Sequence, residues 1–194
     1  MLTLFVDKPK QSSLMKTLIV YYSFSGNNEL LAKKLQALLN CQIVKISEPK
    51  RRTGLTIMLD LLFKRNPKIG PVNLLVSEYD HLIFIAPIWA GRIATPLKVF
   101  IKSLDKNITN YSFISLCGGS DNRKVLSELV YLTGKKPLKL LEVTVNDLLP
   151  AGTAIKQTSF YKVKEEDLLR IEDILHHFIR QTVPVIAPSA KTKN

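Results

Sequence analysis

A doubly wound α/β sandwich, with helices on both faces of a five-stranded parallel sheet, is the architecture that this sequence predicts. Three observations carry that expectation. Short unbroken apolar runs recur along the chain, segments with apolar residues at helical spacing lie between them, and Gly, Pro, Asn or Ser stands at the junctions. A strand covered on both faces reads as a continuous apolar run, and strands alternating with helices call for right-handed crossovers in a parallel sheet.

The first such run is Thr17-Leu18-Ile19-Val20-Tyr21-Tyr22-Ser23, which predicts the central strand. Directly after it, Gly26-Asn27-Asn28 opens a helix in which Leu31, Leu35, Leu38 and Leu39 form an apolar stripe beside Lys33, Lys34 and Gln36. Residues 42–47 predict a second strand and residues 81–86 a third, which ends at Pro87. Leu97, Phe100, Ile101 and Leu104 fall at i, i+3, i+4 and i+7 and predict the next helix, followed by a strand over 113–117. Residues 122–133 carry Val125, Leu126, Leu129 and Val130 on one helical face, with Gly134 placed as a C-terminal cap. Residues 138–145 supply the fifth strand. A last helix runs over 164–181, with Glu165, Glu166 and Asp167 near its positive end and Pro184 beyond its close.

The chain has 194 residues, 46% of them hydrophobic, enough for one domain with a full core. That domain is expected over 15–183, between a flexible N-terminal extension, 1–14, and a flexible tail, 184–194. Cys41 and Cys117 are too few for a disulfide scaffold, show no zinc-type spacing and suit a reducing cytoplasm, and no metal site is expected. No apolar run reaches the roughly 18 residues of a spanning helix, and the longest, 55–63, is interrupted by Asp60. The start of the chain lacks the apolar length and cleavage site of a signal peptide, so a soluble cytoplasmic protein is expected. The formal charge of +12 raises nucleic acid as a partner, but the basic residues are scattered. No zinc finger, helix-turn-helix or aromatic RNA-binding strand accompanies them, so they read as a solvated face with no nucleic-acid role.

In an open parallel sheet, ligands bind beyond the carboxyl ends of the strands. Three loops fall there. Ser23-Phe24-Ser25-Gly26-Asn27-Asn28 joins a buried strand to a helix N-terminus, whose free N–H groups and dipole favour a phosphate; the same residue types also simply cap helices. Pro87-Ile88-Trp89-Ala90-Gly91-Arg92-Ile93-Ala94-Thr95-Pro96 holds the only tryptophan of the chain, able to present a flat wall to a ring. Cys117-Gly118-Gly119-Ser120 adds backbone donors on the other side.

The first loop resembles the phosphate loop of the flavodoxin-like family, and Ile85-Ala86-Pro87-Ile88-Trp89-Ala90-Gly91 resembles its ring-binding loop. The resemblance covers residues 16–182 and implies the strand order 2-1-3-4-5, with FMN at the switch between strands one and three. It implies phosphate contacts from Ser23, Ser25, Gly26, Asn27 and Asn28, with Phe24 in the same loop. Ring contacts would come from Pro87, Ile88, Trp89, Ala90 and Gly91 and from Cys117, Gly118, Gly119 and Ser120. Asn28 stands where the family usually has threonine, and a single tryptophan stands where relatives often carry an aromatic pair.

The resemblance leaves two activities. A dedicated flavodoxin has an acidic docking surface and covers both faces of the ring with aromatics, whereas this chain is basic and its third loop contains no aromatic residue. The sequence therefore points to a reductase that takes electrons from NAD(P)H and passes them through FMN to a quinone or a flavin, with the chemistry on the flavin and no catalytic side chain. A single-electron carrier without its own turnover is the alternative. Arg92 is placed to meet an anionic substrate or the nicotinamide nucleotide. Cys117, His81, His176 and His177 read as structural. The segment 50–68, apolar nearly all round and flanked by basic residues, is expected to form a subunit interface for a homo-oligomer or a lid over the flavin. Peripheral membrane contact is the weaker reading.

Overall fold

The computed structural model describes residues 15–182, apart from 51, 64, 73, 107, 119–121 and 151–160. The two terminal segments expected to be flexible, and Gly119 and Ser120 of the third loop, thus lie outside the described residues.

Five buried or half-buried runs form the sheet: β1 (Thr17–Tyr21), β2 (Gln42–Lys45), β3 (His81–Ile85), β6 (Asn110–Cys117) and β7 (Leu140–Thr144). They pair in the order β2-β1-β3-β6-β7, and every neighbouring pair is parallel. Numbered among themselves, these strands stand in the expected order 2-1-3-4-5. Between them run α1 (Asn27–Leu39), α2 (Gly54–Phe63), α3 (Thr95–Ser103) and α4 (Asn122–Thr133), with α5 (Glu165–Leu169) and α6 (Glu172–Thr182) closing the chain.

Side chains alternate across a strand, and here the alternation divides the core cleanly in two. Leu18, Val20, Leu82, Phe84 and Phe113 face Leu97, Phe100 and Ile101 of α3 and Val125 and Leu129 of α4. On the opposite face Ile19, Ile83, Ile85 and Ile114 meet Leu31 and Leu35 of α1, with Leu168, Leu175 and Phe178 of α5 and α6. The winding reverses between β1 and β3, so the carboxyl ends of these strands open onto a crevice.

Local departures from the expected elements have local causes. The last helix is two helices, because Arg170 N–H bonds to Asp167 O and Ile171 N–H to Leu168 O, one residue tighter than an α-helix. Its apolar face nevertheless stays inward. The fifth strand ends at Thr144, where Thr144 and Asp147 cap a 3-10 turn over Val145–Leu148. The ring loop contains a hairpin, β4 (Ile88–Trp89) against β5 (Arg92–Ile93), turning through Ala90 at φ 49° and Gly91 at φ 73°. Two positive φ angles are the signature of a type I′ turn, and Ala-Gly disguises what Asn-Gly would have announced. Gly134 caps α4 as expected, at φ 78° with its N–H on Val130 O.

His81 opens β3 fully buried, with Nε2 at 3.0 Å from Ser112 Oγ and Nδ1 without a hydrogen-bond partner among the described residues. Burial pushes its pKa down to about 4. The unfolded chain charges this ring near pH 6.5, so its contribution to stability is complete above that pH and is lost as pH falls towards 4. The loss amounts to about 3 kcal/mol over that window. Urea midpoints measured between pH 7 and pH 4 should fall steeply in the parent and flatten in His81→Gln; parallel profiles would contradict this assignment.

Among the described residues no helix is long and apolar enough to cross a membrane. α2 is apolar nearly all round, and Leu55, Met58, Leu62 and Phe63 are exposed on it. Its inward contact is made by a charge: Asp60 is buried against Arg52.

Candidate functional site

The first loop leaves β1 at Tyr21 and turns through Gly26, whose φ of 98° belongs to the left-handed region that glycine enters freely. Gly26 N–H donates to Ser23 Oγ at 3.1 Å, while Phe24 and Ser25 are exposed. No side chain caps α1, so the backbone N–H groups of its first turn, at 27, 28 and 29, have no carbonyl one turn earlier and no capping side chain to bond. That is a donor set suited to a dianion, reinforced by the helix dipole. Glu29 follows closely, but Lys45 at 2.7 Å and Lys33 at 3.3 Å pair with it. The Lys45 hydrogen bond, opposed by some burial, holds its carboxyl below the usual range.

The two asparagines spend their side chains elsewhere. Asn27 donates to Tyr161 O at 2.7 Å and accepts from Val163 N–H at 3.1 Å, pinning the segment before α5. Asn28, buried, donates to Leu116 O at 2.9 Å and accepts from Leu116 N–H at 2.9 Å. Both residues therefore offer a ligand their backbone N–H, and the side-chain donation expected of Asn28 is already committed to β6. This pair of bonds joins the first loop to the end of β6, one residue before the third loop begins.

The second loop is fastened at both ends. Ala94 N–H bonds to Pro87 O at 3.0 Å, and Ile93 N–H bonds to Glu128 Oε2 at 2.8 Å. Trp89 stands half-buried, edge-on to Tyr22 at 5.9 Å and to Phe24 at 6.2 Å between ring centroids. The Arg52 guanidinium lies over the indole, 5.8 Å from its centroid. Arg52 is itself clamped by Glu48 and Asp60, and Glu48 also accepts the Tyr22 hydroxyl at 2.8 Å. Burial alone would lower the Arg52 pKa, but the hydrogen bonds it donates to Glu48 and Asp60 outweigh that and raise it. Burial and then Glu48 raise the Tyr22 phenol. Arg92 is exposed, with its guanidinium 3.8 Å from Glu128.

The third loop begins at Cys117, buried at the end of β6, and Gly118 is exposed. Cys117 forms no disulfide with Cys41, whose thiol is pushed up to about 11 by burial. Among the described residues no cluster of His, Cys, Asp and Glu could hold a metal ion.

The structure thus brings Ser23 to Asn28, Pro87 to Arg92, and Cys117 with Gly118 to one edge of the sheet. Sequence reasoning did not find Tyr22, Glu48, Arg52 and Glu128, which fix that edge. Two signals were present: Glu48 and Arg52 stand four residues apart, and an acid inside an apolar helix, Asp60, requires a buried cation. A groove of about 820 Å³ lies on the flank between α2, α3 and α4 and is lined by none of residues 23–28.

No family model matches the chain, and none of the curated proteins compared matches it. Solved structures do. A flavoprotein from Lactobacillus acidophilus, solved in complex with FMN, superposes with a TM-score of 0.59 at 21% identity, over 66% of this chain and 93% of that one. A protein from Bacteroides eggerthii gives a TM-score of 0.64 at 15% identity, over 87% and 98%. Another from Bacteroides uniformis gives 0.61 at 20%, over 68% and 91%. At such identities the likeness speaks for the fold. Together with the strand order it makes the architecture flavodoxin-like.

Proposed function

We propose that this chain is an FMN-binding flavoprotein that reduces a quinone or a free flavin at the expense of NAD(P)H. The observation that carries the reading is the head of α1: a left-handed Gly26, an uncapped first turn, and Ser23 and Ser25 beside it. Backbone N–H groups and hydroxyls would hold the phosphate there. Trp89 and its neighbours Pro87 to Gly91 would flank the ring, with Cys117 to Ser120 on the other side. FMN, when bound, supplies the redox chemistry, and the residues around it supply position, electrostatics and exclusion of water. Arg92, exposed at the rim, would meet the anionic part of the electron donor.

The lack of an aromatic residue in Cys117-Gly118-Gly119-Ser120 supports turnover, because an uncovered ring face admits a second ring. Phe24 favours the alternative, a single-electron carrier. It is 44% exposed and edge-on to Trp89, so it could cover the ring instead. With FMN added, the full chain is expected to consume NADPH steadily when a benzoquinone is supplied. Consumption no faster than with FMN alone in buffer would remove the reductase reading and leave the carrier.

The exposed apolar face of α2 supports self-association. Sedimentation should show a dimer or larger species that Leu62→Asp shifts to monomer; a monomeric parent would end that reading.

A further inference from the structure

The groove between α2, α3 and α4 is chemically one-sided. Arg65, Arg92, Lys98, Lys102, Arg123 and Lys124 line it against two acids, Asp60 and Glu128. Both acids are already engaged, Asp60 by Arg52 and Glu128 by Lys98 at 3.0 Å and by Ile93 N–H at 2.8 Å. Lys124 has no ion-pair partner among the described residues, and Lys102 reaches only the side-chain oxygen of Asn66, at 3.4 Å. A solvated basic face spreads its charges outward into water. Here they converge on a concavity, where mutual repulsion costs stability unless a polyanion enters.

The remaining lining is not basic. Tyr131 is 79% exposed, with Leu132 beside it and Leu61 across the groove. A second cavity of about 400 Å³ shares Lys102, Tyr131 and Leu132 with the first and continues past them. One volume is thus rich in cations, an adjoining one is less so, and an exposed aromatic stands where they meet. The larger volume lies within the range of small-molecule sites, roughly 300 to 1,000 Å³.

We propose that this groove binds a nucleotide carrying two or more phosphates, with the phosphates among Arg92, Lys98, Lys102 and Lys124 and the base against Tyr131. Lys102 and Lys124, with no ion-pair partner among the described residues, stand beside Arg92 and Lys98, which share Glu128, so the cluster calls for more than one negative charge and a lone carboxylate is a poor match. Guanidinium and ammonium groups together suit phosphate oxygens, and an aromatic face suits a base. A nucleic acid would call for a longer basic stripe and an acidic protein for a broad face, whereas a groove of this volume matches one small molecule. The groove shares Arg92 and Thr95 with the second loop, but its test turns on Lys102, Lys124 and Tyr131, none of which belongs to the flavin cradle, so its failure and that of the flavin reading are distinguishable.

Isothermal titration of the full chain at low salt, with ADP and separately with inorganic pyrophosphate, tests the assignment. Both probes should bind saturably, ADP more tightly. Lys102→Glu with Lys124→Glu, both at exposed positions, should weaken both probes at least about tenfold while circular dichroism remains unchanged. Tyr131→Ala should weaken ADP about fivefold and leave pyrophosphate alone. No saturable binding at millimolar probe, unchanged affinity in the charge-reversed variant, or ADP indifferent to Tyr131→Ala would each overturn it. So would tight binding of polyglutamate or DNA without either small probe, which would give the groove to a macromolecule.

Discussion

Arg52→Ala should destabilise the fold by about 3 to 5 kcal/mol, the cost of breaking a buried ion pair by removing one partner. The Arg52 side chain is only 5% exposed, and those of Glu48 and Asp60 are 11% exposed. Without the guanidinium, the largely buried Glu48 and Asp60 carboxylates lose the cation they share, and Trp89 loses the group above its ring. Exposed pairs such as Lys16 with Glu78 are worth far less, because solvent already screens both ends. Urea denaturation reads the loss directly. The companion variant, Arg52→Met with Glu48→Gln and Asp60→Asn, should recover a large part of it by removing the orphaned charges. A loss below about 1 kcal/mol in Arg52→Ala would mean that the cluster is solvated and does not anchor α2.

Asn28→Ala is the second large effect, expected at about 2 to 4 kcal/mol, because it strands both the N–H and the carbonyl of buried Leu116. Pairing of β3 with β6 ends at Ile85 and Ile114, two residues short of Leu116. Beyond that point the Asn28 side chain stands in for the missing strand, with a donor to Leu116 O and an acceptor for Leu116 N–H. Leu116 is 3% exposed, so water does not take over when the amide is gone. Asn28→Asp separates shape from hydrogen bonding, since it is isosteric but sets an acceptor against the Leu116 carbonyl. It should cost at least as much as alanine. Thermal melts give the magnitude, and accelerated hydrogen exchange at the Leu116 amide gives the location. Exchange no faster than in the parent would show that the first loop and β6 are not coupled through this residue.

The centre of the sheet was legible because its strands there are buried on both faces. Leu18 to Tyr21 and Leu82 to Ile85 admit no polar alternation, and that pattern has one common meaning between amphipathic helices. The helix stripes were legible for the same reason, and Leu31, Leu35, Leu97 and Leu129 are all buried. What escaped depends on contacts distant in the chain. Asn27 and Asn28 have the composition of a phosphate loop, yet their side chains are claimed by Val163 and Leu116, more than eighty residues away. Nothing near position 28 announces that. The hairpin at 88–93 escaped because its turn is built on Ala90, and the break at Arg170 because Leu168 and Ile171 keep helical spacing across it. The basic groove escaped because Lys98, Lys102 and Lys124 look like solvated helix residues until α2, α3 and α4 are set side by side.

One titration bears most directly on the flavin cradle at the head of α1. Purified full-length chain at micromolar concentration is added to FMN, and flavin fluorescence and the visible absorption bands are followed together. Saturating quenching with a shift of the bands is expected, and weaker binding of riboflavin, which lacks the phosphate, would locate the recognition at Ser23 to Asn28. Unchanged fluorescence and an unshifted spectrum in the presence of excess protein would contradict the cradle.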